Sequence, residues 1–194
     1  MEMLEQLTMS FREFCESWVE TCLSLEREQP DKYTRARMRG IAFKELFREL
    51  LSSFELEGYK ILEKKKIIGI DHKFNFLFAK VSASDVGDIE PSDVLAVLEA
   101  KSHGFFGYAP IHEMKSVFDA VKRSNPQTKL FHVTFRETGT HDDKFKEIFA
   151  NRSQNYYRLS DSGDGMQMPP KRYFPGEWDR LLKDLNSIVT DNYK

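Results

Sequence analysis

Residues 94–104 read VLAVLEAKSHG, and the fold and the function both turn on them. Val94 to Leu98 has the near-continuous aliphatic filling of a strand covered on both faces. Glu99 and Lys101 interrupt it with two charges that an apolar interior penalises by several kcal/mol unless something compensates them. On a strand the two side chains leave the same face, about 7 Å apart, while Ala100 faces the other way. The strand end is therefore either open to solvent or a site.

The pattern outward from this strand sets its frame. Upstream, "YKILEKKKIIGI" and "KFNFLFAKV" are β-rich, and before them a helical pattern runs from about Tyr33 to Phe54, with Gly58 as its stop. Downstream, "PIHEMKSVFDAVKRSNP" reads as a helix with Pro at its start and Asn-Pro at its end, and "TKLFHVTFRE" returns to alternation. The order α-β-β-β-α-β over residues 33–136 predicts a hairpin that feeds a central strand, with a crossover helix leading to a parallel neighbour. "HDDKFKEIFANR" predicts a short helix, "NYYRL" a short strand, "SDSGDGMQMPPKR" a loop and "PGEWDRLLKDLNSIV" a closing helix. At the other end, Leu4, Leu7, Phe11, Phe14, Trp18, Cys22 and Leu25 form one apolar stripe on a helix over residues 3–27, which packs on the body or on a second copy.

Length and composition bound the possibilities. The chain of 194 residues suits a single domain with a helical extension at 1–30, a core at 33–136 and C-terminal helices and loop at 137–194. No apolar run is long enough to span a bilayer, and the acidic start MEMLEQ lacks the pattern of a signal or transit peptide, so a cytoplasmic, non-membrane protein is expected. Cys15 and Cys22 fall on one helix face about 10 Å apart, too far to bridge, and read as core residues. A net charge of −2 argues against coating nucleic acid by charge alone, but allows an enzyme that handles it through metal ions and local basic clusters at Lys60, Lys64–Lys66, Lys122–Arg123 and Lys171–Arg172.

A carboxylate beside an ammonium suits a site in which the acid holds a hard divalent ion and the lysine orients water or stabilises developing phosphorane charge. One carboxylate holds such an ion poorly, so a second is needed. Asp93 lies six residues upstream, about 20 Å away along a regular strand. Asp71 is the better candidate, because folding 73–81 back against 93–101 brings it to the Glu99–Lys101 end of the hairpin.

An aspartate at a hairpin strand followed by E-x-K at the end of the next strand, in an αβββαβ core, resembles the PD-(D/E)XK nuclease superfamily over roughly residues 38–136. The resemblance implies a restriction-endonuclease-like α/β fold, with a mixed central sheet flanked by helices and an extra N-terminal helix. It implies Asp71, Glu99 and the Ala100 carbonyl as ligands of Mg²⁺ or Mn²⁺, with Asp71, Glu99 and Lys101 as the catalytic set. Many members carry R/K-G-x-x-F-E on the preceding helix. Here "RGIAFKELFRELLSSFELEGY" has that shape with Lys44 in place of the glutamate and Glu45 next to it, which makes Glu45 a further candidate ligand.

The activity implied is metal-dependent hydrolysis of phosphodiesters, with DNA preferred to RNA as partner and a homodimer through the N-terminal helix. Ser102, His103, Lys122 and Arg123 are candidate substrate contacts, and Phe105, Phe106 and Tyr108 could stack on bases or serve the core. The competing readings are an RNA endonuclease domain of a larger polymerase, a non-catalytic interaction module that keeps the fold, and a plain surface ion pair. "HDDKF" at His141 suggests a His-Asp phosphohydrolase, but His72, His103 and His132 fall on strands or their ends, and an N-cap role for "THDD" is preferred.

Overall fold

A computed structural model describes residues 10–29, 31–53, 58–102, 108–137, 154–161, 170 and 172–190. The first helix, α1 (Phe11–Glu28), starts at Ser10, whose hydroxyl accepts from the Glu13 backbone while the Glu13 carboxylate returns to the Ser10 N–H. Residues 3–9 of the expected helix lie outside the described residues. A second cap, Asp31 accepting from Thr34 N at 2.6 Å, opens α2 (Lys32–Ser52). Then come β1 (Tyr59–Ile67), β2 (Ile70–Lys80), β3 (Val94–Lys101), α3 (Tyr108–Ser124), β4 (Lys129–Glu137), β5 (Gln154–Asp161), β6 (Arg172–Tyr173) and α4 (Pro175–Thr190).

The expected α-β-β-β-α-β order is present as α2-β1-β2-β3-α3-β4. The six strands form one mixed sheet in sequence order: β1–β2–β3 are antiparallel, β3–β4–β5 parallel, and β6 antiparallel to β5. Three details differ from the sequence reading. "YKILEKKKIIGI" is broken by a tight turn at Ile68–Gly69, where Gly69 has φ +81°, so Asp71 belongs to β2. Ser92 and Asp93 lie in a 3₁₀ turn ahead of β3, and β6 emerges from the expected loop. The helix expected at 141–152 lies outside the described residues.

The sheet has two unequal faces. On one, α1, α2 and α4 bury Phe14, Trp18, Phe43, Phe47 and Trp178 against Phe76, Phe78, Leu98, Phe131 and Phe135. Their rings interlock: Trp18 meets Phe43 at 5.1 Å and Phe135 at 5.8 Å, and Phe14 meets Trp178 at 4.8 Å. The apolar stripe of α1 from Phe14 to Leu25 is thus used within the chain, while Leu4 and Leu7 of the expected stripe lie outside the described residues. Cys15 and Cys22 are buried, unbridged thiols in the same layer.

On the other face, α3 sets Met114, Phe118 and Val121 against Leu77, Val97 and Leu130. Among the described residues no helix is long and apolar enough to cross a membrane.

Candidate active site

Glu99 sits near the end of central β3 with 0 % of its side chain exposed. Three donors surround it. The Asn75 N–H gives to Oε1 at 2.9 Å, His72 Nε2 lies 3.2 Å from the same oxygen, and Lys101 Nζ is 2.9 Å from Oε2 without a well-aligned hydrogen bond. Burial pushes the Glu99 carboxyl up. The His72 hydrogen bond and the nearby Lys101 ammonium outweigh it, and the group is held below its ordinary range. The two charges at this strand end are therefore compensated by each other and by a ring that the sequence reading did not place there.

Asn75 anchors this end of the two strands. Phe76 pairs with Leu98, the last such pair of β2 and β3 on this side; beyond it the Asn75 side chain accepts from the Ala100 N–H at 3.0 Å while its own N–H serves Glu99. Side chains replace the ladder where the strands part. Alternation slips at the same point, since Phe74 packs with Leu77 on the α3 face but Phe76 with the opposite layer, although residues two apart on a regular strand share a face. Opposite Asn75 on β1, between the pairs Glu63–Phe76 and Lys65–Phe74, Lys64 is left-handed at φ 53°.

This slip decides which β2 residue meets Glu99. The register does bring the start of β2 to the Lys101 end of β3, as expected. An unbroken alternation would also turn Asp71 toward Glu99's face; with the slip, His72 takes that face. Asp71 is 95 % exposed and pairs with Lys66, whose hydrogen bond and charge hold its carboxyl below the usual range.

The other candidates divide. Ala100 and Ser102 are buried at the site's edge. Glu45 is bound to Arg48, which also clasps Glu63 on β1, so α2 turns this acid to its own ion-pair network. The α2 side chain near the site is Lys44: burial and the charges of Lys101 and Lys64 hold its ammonium below the lysine range, with Glu99 opposing them. Lys122 and Arg123 lie in the last turn of α3, and Lys122 donates to the Pro126 carbonyl at 2.9 Å. Two residues after Arg123, Asn125 bonds the Pro91 and Val94 carbonyls at the start of β3. A crossover helix returns the chain to the beginning of the next strand, so this basic pair stands at the opposite end of the sheet from Glu99. His103 and His141 lie outside the described residues.

Sequence reasoning missed a polar row across the α3 face. In the parallel register Glu99 is beside His132 and His132 beside Tyr156, while Lys101 is beside Thr134. His132 stacks on Tyr156 at 5.7 Å, and the Tyr156 hydroxyl lies 3.3 Å from Thr134 Oγ1. Burial, aided by Lys101 and opposed by Glu99, drives the His132 pKa down to about 3, so the ring is neutral. The signal was present: "FNF" and "FHVTF" carry polar residues inside otherwise apolar strands. Glu99 stands near the carboxyl end of β3, where α/β sheets receive ligands, and from it the row runs to His132 in the middle of β4 and Tyr156 in the first half of β5.

The solved structure of P. aeruginosa NucC in its cAAA-bound form is similar to this chain, with a TM-score of 0.57 at 13% identity over 91% of this chain and 89% of that one. The fold is restriction-endonuclease-like. No family model and no curated protein matches the sequence.

A divalent ion of the kind such a fold implies needs converging donors. Among the described residues no three His, Cys, Asp or Glu side chains converge on one point. Glu99 Oε2, buried and without an aligned donor, and the imidazole at Oε1 do offer a carboxylate and a nitrogen together. Such a pair fits an ion that keeps several of its waters.

Proposed function

We propose that this chain is a divalent-metal-dependent endonuclease that hydrolyses phosphodiester bonds in DNA, with Glu99 and Lys101 at its reactive centre. The observation that carries the reading is the buried carboxylate held 2.9 Å from a lysine that remains 33 % exposed, at the end of the central strand of a restriction-endonuclease-like sheet. A bound Mg²⁺ or Mn²⁺ would supply Lewis acidity and an acidified water. Glu99 would hold it, with the Ala100 carbonyl as a further oxygen donor.

The protein's own contribution is positional and electrostatic. The Asn75 N–H fixes one Glu99 oxygen, which leaves the carboxylate a single orientation. Lys101 is open enough to turn its ammonium to a phosphoryl oxygen as negative charge develops there. Lys44 and Lys101 near one carboxylate leave a local excess of positive charge, which suits a polyanion despite the net charge of −2. Ser102, next to Lys101, could bond a phosphate at the same edge.

A second reading is favoured by one observation: Asp71 faces away from Glu99 and pairs with Lys66, as in a module that keeps the fold without the chemistry. One assay separates the two. Supercoiled plasmid, linear duplex, single-stranded DNA and RNA are incubated with the full chain in Mn²⁺, Mg²⁺ or EDTA. The nuclease reading expects nicking or cutting of DNA that EDTA stops and that Lys101→Ala lowers at least 100-fold per folded molecule, with a lower melting temperature because Glu99 loses a compensating charge. Intact substrates in every metal would favour the module, and cutting of RNA alone would move the substrate class.

A further inference from the structure

Glu99 has a neighbour whose place in the chemistry is open. His72 is 23 % exposed, its ring packs edge-on against Phe74 at 4.8 Å, and its Nε2 faces Glu99 Oε1 at 3.2 Å. We propose that the cation of this site is held by Glu99 and His72, with Asp71 taking no part. The proposal rests on the metal-dependent reading above and names the ligands within it.

Three features of the geometry support it. Two donors bound at right angles to one ion, each at about 2.1 Å, stand about 3 Å apart, close to the separation of His72 Nε2 and Glu99 Oε1. An ion can therefore replace the hydrogen bond between them with little movement of either side chain. The carboxylate is pinned by Asn75 N and the ring is braced by Phe74, so both donors are held before any ion arrives. Asp71, on the other face after the slip at Asn75, would have to leave Lys66 and rotate its stretch of backbone to reach the same point.

The donor types carry a consequence. An all-oxygen site suits Mg²⁺, whereas an imidazole shifts preference toward transition-metal ions. The site should therefore take Mn²⁺ more tightly than Mg²⁺, and His72 should be the source of that preference.

The test is calorimetric titration of the full chain with Mn²⁺ and with Mg²⁺, without substrate. The variants are Asp71→Ala, His72→Phe and His72→Gln, and each is checked by its melting curve. The proposal expects His72→Phe to weaken Mn²⁺ binding at least tenfold and Asp71→Ala to change it less than twofold. It also expects His72→Gln, which keeps a donor to Glu99 and serves if His72→Phe does not fold, to remove the Mn²⁺ preference. Loss of binding in Asp71→Ala, or unchanged Mn²⁺ affinity in both His72 variants, overturns it while the nuclease reading stands. A wild-type chain that binds no Mn²⁺ and cuts no DNA ends both.

Discussion

The two faces of the sheet are built for different tasks. Beneath α1, α2 and α4, interlocked rings fill the space, and the buried Arg39 of α2 is paired with Glu26 of α1. Under α3, the same strands carry His72, Glu99 and His132 in one row that ends on Tyr156, and buried charge is held by partners in place of packing. Apolar burial stabilises wherever it fits, whereas a buried carboxylate persists only with compensating donors. A protein that spends one face on stability can carry an unfavourable group on the other. That the unfavourable group is Glu99, beside a half-open lysine, is why function is assigned to the α3 face.

Paired substitutions would break or sharpen this contrast. Trp18→Ala should lower unfolding free energy by about 3–5 kcal/mol, since it empties the middle of the aromatic layer, yet leave cleavage per folded molecule unchanged. Glu99→Gln should show the reverse, costing about 1–2 kcal/mol through the weakened hydrogen bonds while abolishing cleavage. Denaturant titrations with activity measured on the folded fraction check both.

Acid should act through the polar row. The unfolded chain protonates His132 near 6.5, but the native ring stays neutral down to about 3. Between those values the unfolded state binds the extra proton, so stability is full above about 6.5 and falls as the pH drops, by about 1.4 kcal/mol per unit for one proton. Urea midpoints between pH 7 and 5 should show this slope, and His132→Phe should remove that one-proton component. A smaller effect is expected at the slip: Lys64→Gly relieves a left-handed non-glycine residue and should raise stability by up to ~1 kcal/mol, read from the same urea curves.

Much of the fold was legible because its signals are local and periodic. The aliphatic run of β3, the helical stripes and the hairpin order follow from spacing alone, and Glu99 and Lys101 share a face by the two-residue period of any strand. Asp71 shows where periodicity ends. Its distance along the hairpin was readable, but its face depends on one backbone irregularity at Asn75 and Lys64, and no residue type there demands it. Lys122 and Arg123 show a different limit. Charge clusters carry no information on which end of a sheet they occupy, although the return path of a crossover helix does. His132 was visible as a polar interruption of a strand, and its meaning came only from the neighbour it pairs with.

The central claim is that a divalent cation binds beside Glu99 on the α3 face. An anomalous difference map from crystals soaked in Mn²⁺, at a concentration that supports cleavage, tests it most directly. The account predicts a peak about 2–2.5 Å from the Glu99 carboxylate, with His72 as its second protein ligand. A map with no peak at Glu99, or with one only at Asp71 on the opposite face, would contradict it.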